Sequence, residues 1–270
     1  DHHNDGTRPE IDANGFEDKN SATGVQEYYY DANGNMISDS NKSIQHITYN
    51  YLNLPERISF ENGDEVNYVY DAAGMKLRKI ARTGAGTTIS DYVSGIHYKD
   101  GVLEFLRHNE GRAVKNGNSF DYEYHLTDHL GNVRATVDES GAVVQRDDFY
   151  PFGLTFNSWR NAPPKNNYTY NGKEYQSETG WIDFGARMHS PELGRWFNID
   201  PLAERYTKYS PYNYTLNNPI KYIDPDGRSV EAINGGYRFT GADAQALFSA
   251  LKNASCGCDC PNPPCDNKEE

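Results

Sequence analysis

Cysteine is missing from almost the whole chain. All four cysteines, Cys256, Cys258, Cys260 and Cys265, fall within the last fifteen positions of 270, so the body folds without disulfides in whichever compartment it works. No apolar run approaches the length that a membrane-spanning helix needs. Basic residues are in short supply: 26 Lys and Arg stand against 39 Asp and Glu, a net charge of -13, which argues against a nucleic-acid binder or an anionic-membrane binder. The chain has neither an initial Met nor a secretory signal peptide at its start, and is expected to be a piece of a longer protein. No Ser-His-Asp or Cys-His set and no phosphate loop stands out, and no cofactor is expected.

What the chain has in quantity is tyrosine. It carries 21 Tyr although only 36% of its residues are hydrophobic. Tyr suits strands with one wet face, because the ring buries while the hydroxyl stays solvated. Tyr30-Asp31-Ala32-Asn33-Gly34-Asn35 recurs as Tyr49-Asn50-Tyr51-Leu52-Asn53 and as Tyr70-Asp71-Ala72-Ala73-Gly74. A period near twenty residues marks a repeat in which each unit buries its face against its neighbours. In each unit a Tyr-ended strand meets a turn whose Asp or Asn side chain bonds the backbone two residues on. The return segments, such as Ile58-Ser59-Phe60, alternate like strands. The predicted fold is mostly β, a long run of antiparallel hairpins, with short helices near 201–206 and 241–253. Thr83 to Ser90 reads as a small polar loop, and Asp147-Asp148 as a solvated turn.

The richest stretch is Gly194 to Arg228, which holds two Ile-Asp-Pro triplets around Asp200 and Asp224. Between them Tyr212, Tyr214 and Leu216 alternate like a strand, and Asn217-Asn218-Pro219 closes it like a turn. A strand and return of that length would bring the two aspartates together. Close carboxylates cannot both ionise freely, so one holds a proton while the other activates water. A structural reading fits the same residues: Asp200 as an N-cap before Pro201, and Asp224-Pro225-Asp226-Gly227 as a turn. Arg187 is the basic residue placed to pair with an aspartate and hold it ionised, or to act as a plain structural bridge. Trp159, Trp181 and Trp196 lie in this half, and its aromatics read as packed core. His125 and His129 have metal-pair spacing but straddle a strand and a Gly turn, with no third ligand.

Several of these segments resemble the end of the Rhs core, the rearrangement-hot-spot or YD-repeat family. They are HLTDHLGNVRATV from His125, YPFG from Tyr150, YNGKEYQSETGWIDFGARMHSPELGRW from Tyr170, GRWFNIDPLAE, and SPYNYTLNNPIKYIDPDGR. The resemblance covers roughly residues 28–228. It implies part of a hollow β shell, or cocoon, in a large bacterial protein that is secreted or at the cell surface. It implies partners too: an upstream shell portion and a C-terminal effector segment held inside. It further implies an aspartic-type self-cleavage just after the DPxG motif, here between Arg228 and Ser229, with Asp200 and Asp224 as the dyad, Arg187 supporting it and Asp226 a weaker alternative. The chain departs from the family pattern at two points: Arg228 stands where many self-cutting relatives carry an apolar residue, and Ser190 precedes Pro191 where an aspartate is usual. These departures favour a structural carrier over a cutting one.

The expected organisation is a polar leader (1–22), YD-repeat-like hairpins (23–155), a core end or plug (156–228) and a variable tail (229–270). In the tail, Thr240 opens a helix with Ala244, Leu247, Phe248 and Leu251 on one face. The Cys-x-Cys-x-Cys-x4-Cys end lacks the paired spacing of common zinc folds, but its alternate thiols could clasp a soft metal. Three functions compete: a carrier that cuts itself, a purely structural or surface interaction protein, and a metal-binding tail module.

Overall fold

The computed structural model describes residues 24–156 and 165–233. The expected tail helix, the four cysteines and Trp159 lie outside these residues. Thirteen strands form one antiparallel sheet in strict chain order, each bonded to the next. They are β1 (Tyr28–Tyr30), β2 (Met36–Asp39), β3 (Ile44–Tyr49), β4 (Pro55–Phe60), β5 (Glu65–Tyr70), β6 (Lys76–Thr83) and β7 (Gly86–Val93). The sheet continues through β8 (Ile96–Lys99), β9 (Val102–His108), β10 (Gly111–Asn116), β11 (Ser119–Thr127), β12 (Val133–Asp138) and β13 (Val143–Arg146). A second antiparallel meander holds β14 (Glu174–Gln176), β15 (Trp181–Asp183), β16 (Met188–Ser190) and β17 (Arg195–Trp196). A short ladder pairs β18 (Tyr222–Ile223) with β19 (Glu231–Ala232). The mostly-β, hairpin-by-hairpin reading of the sequence is what the structure has.

One turn recurs. Asp31 Oδ1 accepts the backbone N–H of Asn33 and Asn35, at 2.9 and 2.8 Å, and its carbonyl accepts from Gly34 at 3.1 Å. Asn50 and Asp71 do the same with Leu52 and Leu54, and with Ala73 and Met75. Asp128 and Asp138 repeat it further along. The side-chain oxygen saturates two donors that a five-residue loop leaves without ladder partners. Gly34 is required as well as permitted: its φ is +76°, and a Cβ there would lie 2.6 Å from the Tyr212 hydroxyl.

The second sheet packs on the first. Met36, Ile44, Ile47, Ile58, Val66, Tyr68 and Ala81 from β2 to β6 share a core with Trp181, Met188 and Phe197. Alternation along β15 sends Trp181 into that core and Ile182 into another, formed with Tyr170, Phe184, Trp196 and Tyr214. The tryptophan-rich half is therefore packed core, as its composition suggested.

Four local readings need correction. Thr83 to Ser90 is not a loop: Thr83 pairs with Gly86 in a hairpin closed by Gly84 and Ala85, and Thr87 to Ser90 continue the ladder because Thr and Ile suit it. Asp147 is buried, and its Oδ2 accepts from Gln145 Nε2 at 2.8 Å. Tyr212 to Leu216 is not a strand. Tyr212 reaches Gly34 O and Tyr214 enters the aromatic core, after which Thr215, Leu216 and Asn217 form a 3-10-type turn with positive φ. The helix expected near 201–206 is a single 3-10 turn, Ala203–Arg205.

Candidate site around Arg187, Asp200 and Asp224

Three chain segments that are not neighbours in sequence converge on one guanidinium. Arg187 immediately precedes β16, Asp200 follows β17, and Asp224 follows β18. Arg187 Nη2 donates to Asp200 Oδ2 at 2.9 Å and to Asp224 Oδ2 at 3.3 Å. Its Nε donates to the carbonyl of Gly227 at 2.5 Å. The side chains of Arg187 and Asp224 are 1% and 0% exposed. The face of Trp196 lies 4.2 Å from the guanidinium carbon, so a cation–π contact completes the cage.

The far oxygens of both carboxylates go to backbone. Asp200 Oδ1 accepts from Leu202 N at 2.7 Å, beside the turn that the sequence placed after it. Asp224 Oδ1 accepts from Gly227 N at 2.8 Å, Arg228 N at 3.0 Å and Asp226 N at 3.3 Å. Asp224 thus anchors its loop much as the repeat-turn aspartates anchor theirs. Gly227 has φ +76°, and a Cβ there would come within 3.0 Å of Arg187 N. The loop therefore tolerates no side chain where it meets the arginine.

Electrostatically the site holds two carboxylates and one cation, one negative charge over. Burial pushes the Asp224 carboxyl above its ordinary range, against the pull of Arg187 and of the three backbone donors. Burial also lowers Arg187, and the two aspartates oppose that. Asp226 is solvent-exposed on the other side of the loop. Its Oδ1 accepts from Arg228 N at 3.1 Å and Ser229 N at 3.3 Å, spanning the bond where cleavage was expected.

The sequence-predicted residues Arg187, Asp200 and Asp224 thus come together, and Asp226 stands apart from them. Sequence reasoning missed Trp196, the platform for the arginine. It also missed Lys173, whose Nζ donates to Pro225 O at 2.5 Å, and Tyr206, whose hydroxyl accepts from Val230 N at 3.2 Å. Nothing in a local window marks these three, because their partners are 9 to 52 residues away and meet only in the fold. The two histidines at metal spacing separate: His125 is half-buried with its Nε2 3.1 Å from Asn166 Nδ2, and His129 Nε2 lies 3.3 Å from Ile220 O. Among the described residues no group of three His, Cys, Asp or Glu side chains is arranged to hold a metal.

No family model matches the chain. It is 29% identical over 209 residues to toxin subunit YenC1 of Yersinia entomophaga, a match over 74% of this chain and 19% of that protein. It is 28% identical over 235 residues to salivary gland surface protein 1 of Aedes aegypti, covering 74% of this chain and 6% of that protein. The crystal structure of TcdB2-TccC3 superposes with a TM-score of 0.60 over 73% of this chain and 11% of that one, at 20% identity. The structural likeness establishes a shared fold over that region. The chain spans less than a fifth of each of these proteins.

Proposed function

We propose that this chain is the end of an Rhs-type β shell that encloses and carries a C-terminal effector segment, in a bacterial protein that is secreted or displayed at the surface. Residues 23–155 would form shell wall, and residues 156–228 the plug that closes it. The observation that carries this reading is the cage on Arg187. It ties the second sheet to the Asp224–Arg228 loop, the last stretch before the tail, which supports reading that loop as the point where a carried segment would leave. The ordered meander and the likeness to a toxin subunit support the same reading. Its test is protease protection of the segment after Ser229 in the protein made from the whole gene. The expected result is resistance until denaturant opens the shell; digestion at the rate of an unfolded peptide without denaturant overturns it.

One specific observation favours a second activity on the same residues. Asp200 and Asp224 share one arginine nitrogen, and burial raises the Asp224 carboxyl, as the acid of an acid–base pair requires. In that reading the chain cuts itself once between Arg228 and Ser229, with Arg187 positioning the pair. Intact mass spectrometry of wild type beside Asp200→Asn and Asp224→Asn decides it. A cut wild type with both variants whole supports the dyad. A whole wild type leaves the two aspartates as a cap and a turn.

A further inference from the structure

The contact between the two sheets contains the parts of an amide condensation. Lys76, the first residue of β6, sends its Nζ to within 2.5 Å of Asp183 Oδ2 and 2.6 Å of Glu174 Oε2. The two acids face each other directly across β14 and β15. All three side chains are at least nine-tenths buried. Aromatic rings wall the cluster, with Tyr92 and Tyr68 at 4.6 and 5.8 Å from Nζ. Each remaining acid oxygen has one donor: Tyr92 OH reaches Glu174 Oε1 at 2.9 Å, and Gly185 N reaches Asp183 Oδ1 at 2.8 Å.

We propose that Lys76 and Asp183 condense into an intramolecular isopeptide bond that staples the second sheet to the first, with Glu174 as proton relay. The resting cluster is ionic: the two acids hold Lys76 cationic against its burial, and the lysines hold Glu174 ionised. The reactive form has the same number of protons. Moving one proton from Lys76 to Asp183 gives a neutral amine and a neutral acid beside an ionised Glu174, at unchanged net charge. A dry site penalises that neutral pair less than water does. The lone pair of Nζ then adds to Asp183 Cγ. Negative charge develops on Oδ1, where the Gly185 N–H already points. Glu174 Oε2 takes a proton from the nitrogen and passes it to the hydroxyl oxygen Oδ2. The Cγ–Oδ2 bond breaks and water leaves. One N–C bond replaces one C–O bond, with no oxidant and no activated co-reactant. Held contact of this kind is worth effective molarities of about 10⁵ M or more in well-oriented cases. The step occurs once per chain, so a slow rate suffices.

Lys79 is the internal contrast. It pairs with Glu178 at 3.0 Å, a single acid that is 16% exposed, and so lacks both the second carboxyl group and the dryness. The proposal does not depend on self-cleavage, because both joined residues precede Arg228. The test is the intact mass of the full chain, denatured, by high-resolution mass spectrometry. The expected mass is one water below the sequence mass, and digestion yields a branched peptide joining the segments that carry Lys76 and Asp183. Lys76→Arg and Asp183→Ala should both restore the full sequence mass, and Glu174→Gln should slow or abolish the loss while the far-UV circular dichroism stays that of the wild type. A folded wild type at full sequence mass overturns the proposal. So does a water deficit that persists in Lys76→Arg, which would mark cyclisation at an Asp-Gly step instead.

Discussion

The large sheet has exposed cross-strand ion pairs besides a buried one, Arg112 with Glu123, whereas the second region holds its charges buried. On the thirteen-stranded sheet, Arg82 meets Glu65 and Arg78 meets Asp91 across adjacent strands, with the arginines about half exposed. In the second region Arg187, Asp224, Glu174 and His189 are buried, and their partners come from segments far away in sequence. The meander repeats a local solution, an Asx-anchored turn followed by a pairing with the next strand. The second region is assembled from long-range contacts, and each buried charge in it needs a partner that only the finished fold supplies. Local periodicity therefore specifies the first region, and polar complementarity specifies the second.

The comparison is broken most directly at Arg187. Replacing it with Leu leaves two carboxylates buried without their cation, and loss of one member of a buried pair costs about 3–5 kcal/mol. Urea denaturation should register that loss as a lower midpoint. A midpoint equal to wild type would mean that the cage is incidental to stability.

A smaller effect comes from two histidines that lose solvation in the fold, one in each region. Burial depresses His189, in the second sheet, from 6.5 to about 4, and His125, in the large sheet, also to about 4. A histidine whose folded pKa is below its unfolded value stabilises the fold fully above pH 6.5, and that stabilisation is lost as pH falls towards 4. For fully buried His189 the shift corresponds to about 3 kcal/mol as an upper figure. Stability measured by urea at steps between pH 7 and 4 should fall across that window. His189→Gln keeps a donor for Phe152 O, 2.8 Å from Nε2 in the wild type, and should flatten the fall. An unchanged slope in the variant would assign the effect to other groups.

The smallest effect sharpens the contrast from the other side. Arg78→Gln removes a surface pair from the large sheet, and exposed pairs contribute little. Its urea midpoint should match wild type within measurement scatter, whereas a clear drop would put the surface ladders of the meander on a par with the buried cage.

Much of the fold was legible because its causes are local. Asp31, Asn50 and Asp71 each satisfy backbone donors within four residues, so the turn, its period and the following strand are written in a short window. Thr83 to Ser90 misled for the same reason: small polar residues suggest a loop, but cross-strand pairing with Lys79 to Thr83 outweighed composition. The convergence of Asp200 and Asp224 was also anticipated, though not its route. The segment between them turns back by a bridge between Arg195 and Asn213 and a positive-φ turn at Thr215 to Asn217, and Arg187 then binds both acids.

The sequence by itself determined the β class, the hairpin repeat, the acidic balance and the residues able to form a carboxylate pair, because alternation, turn chemistry and composition act over a few residues. Only the tertiary structure decided that Trp196 lies under Arg187, that Lys76 lies between Glu174 and Asp183, and that His125 and His129 part company. Those outcomes depend on which buried groups meet across two packed sheets. Burial makes an unpartnered charge costly enough to select the pairings, and the acids that hold Lys76 lie 98 and 107 residues from it.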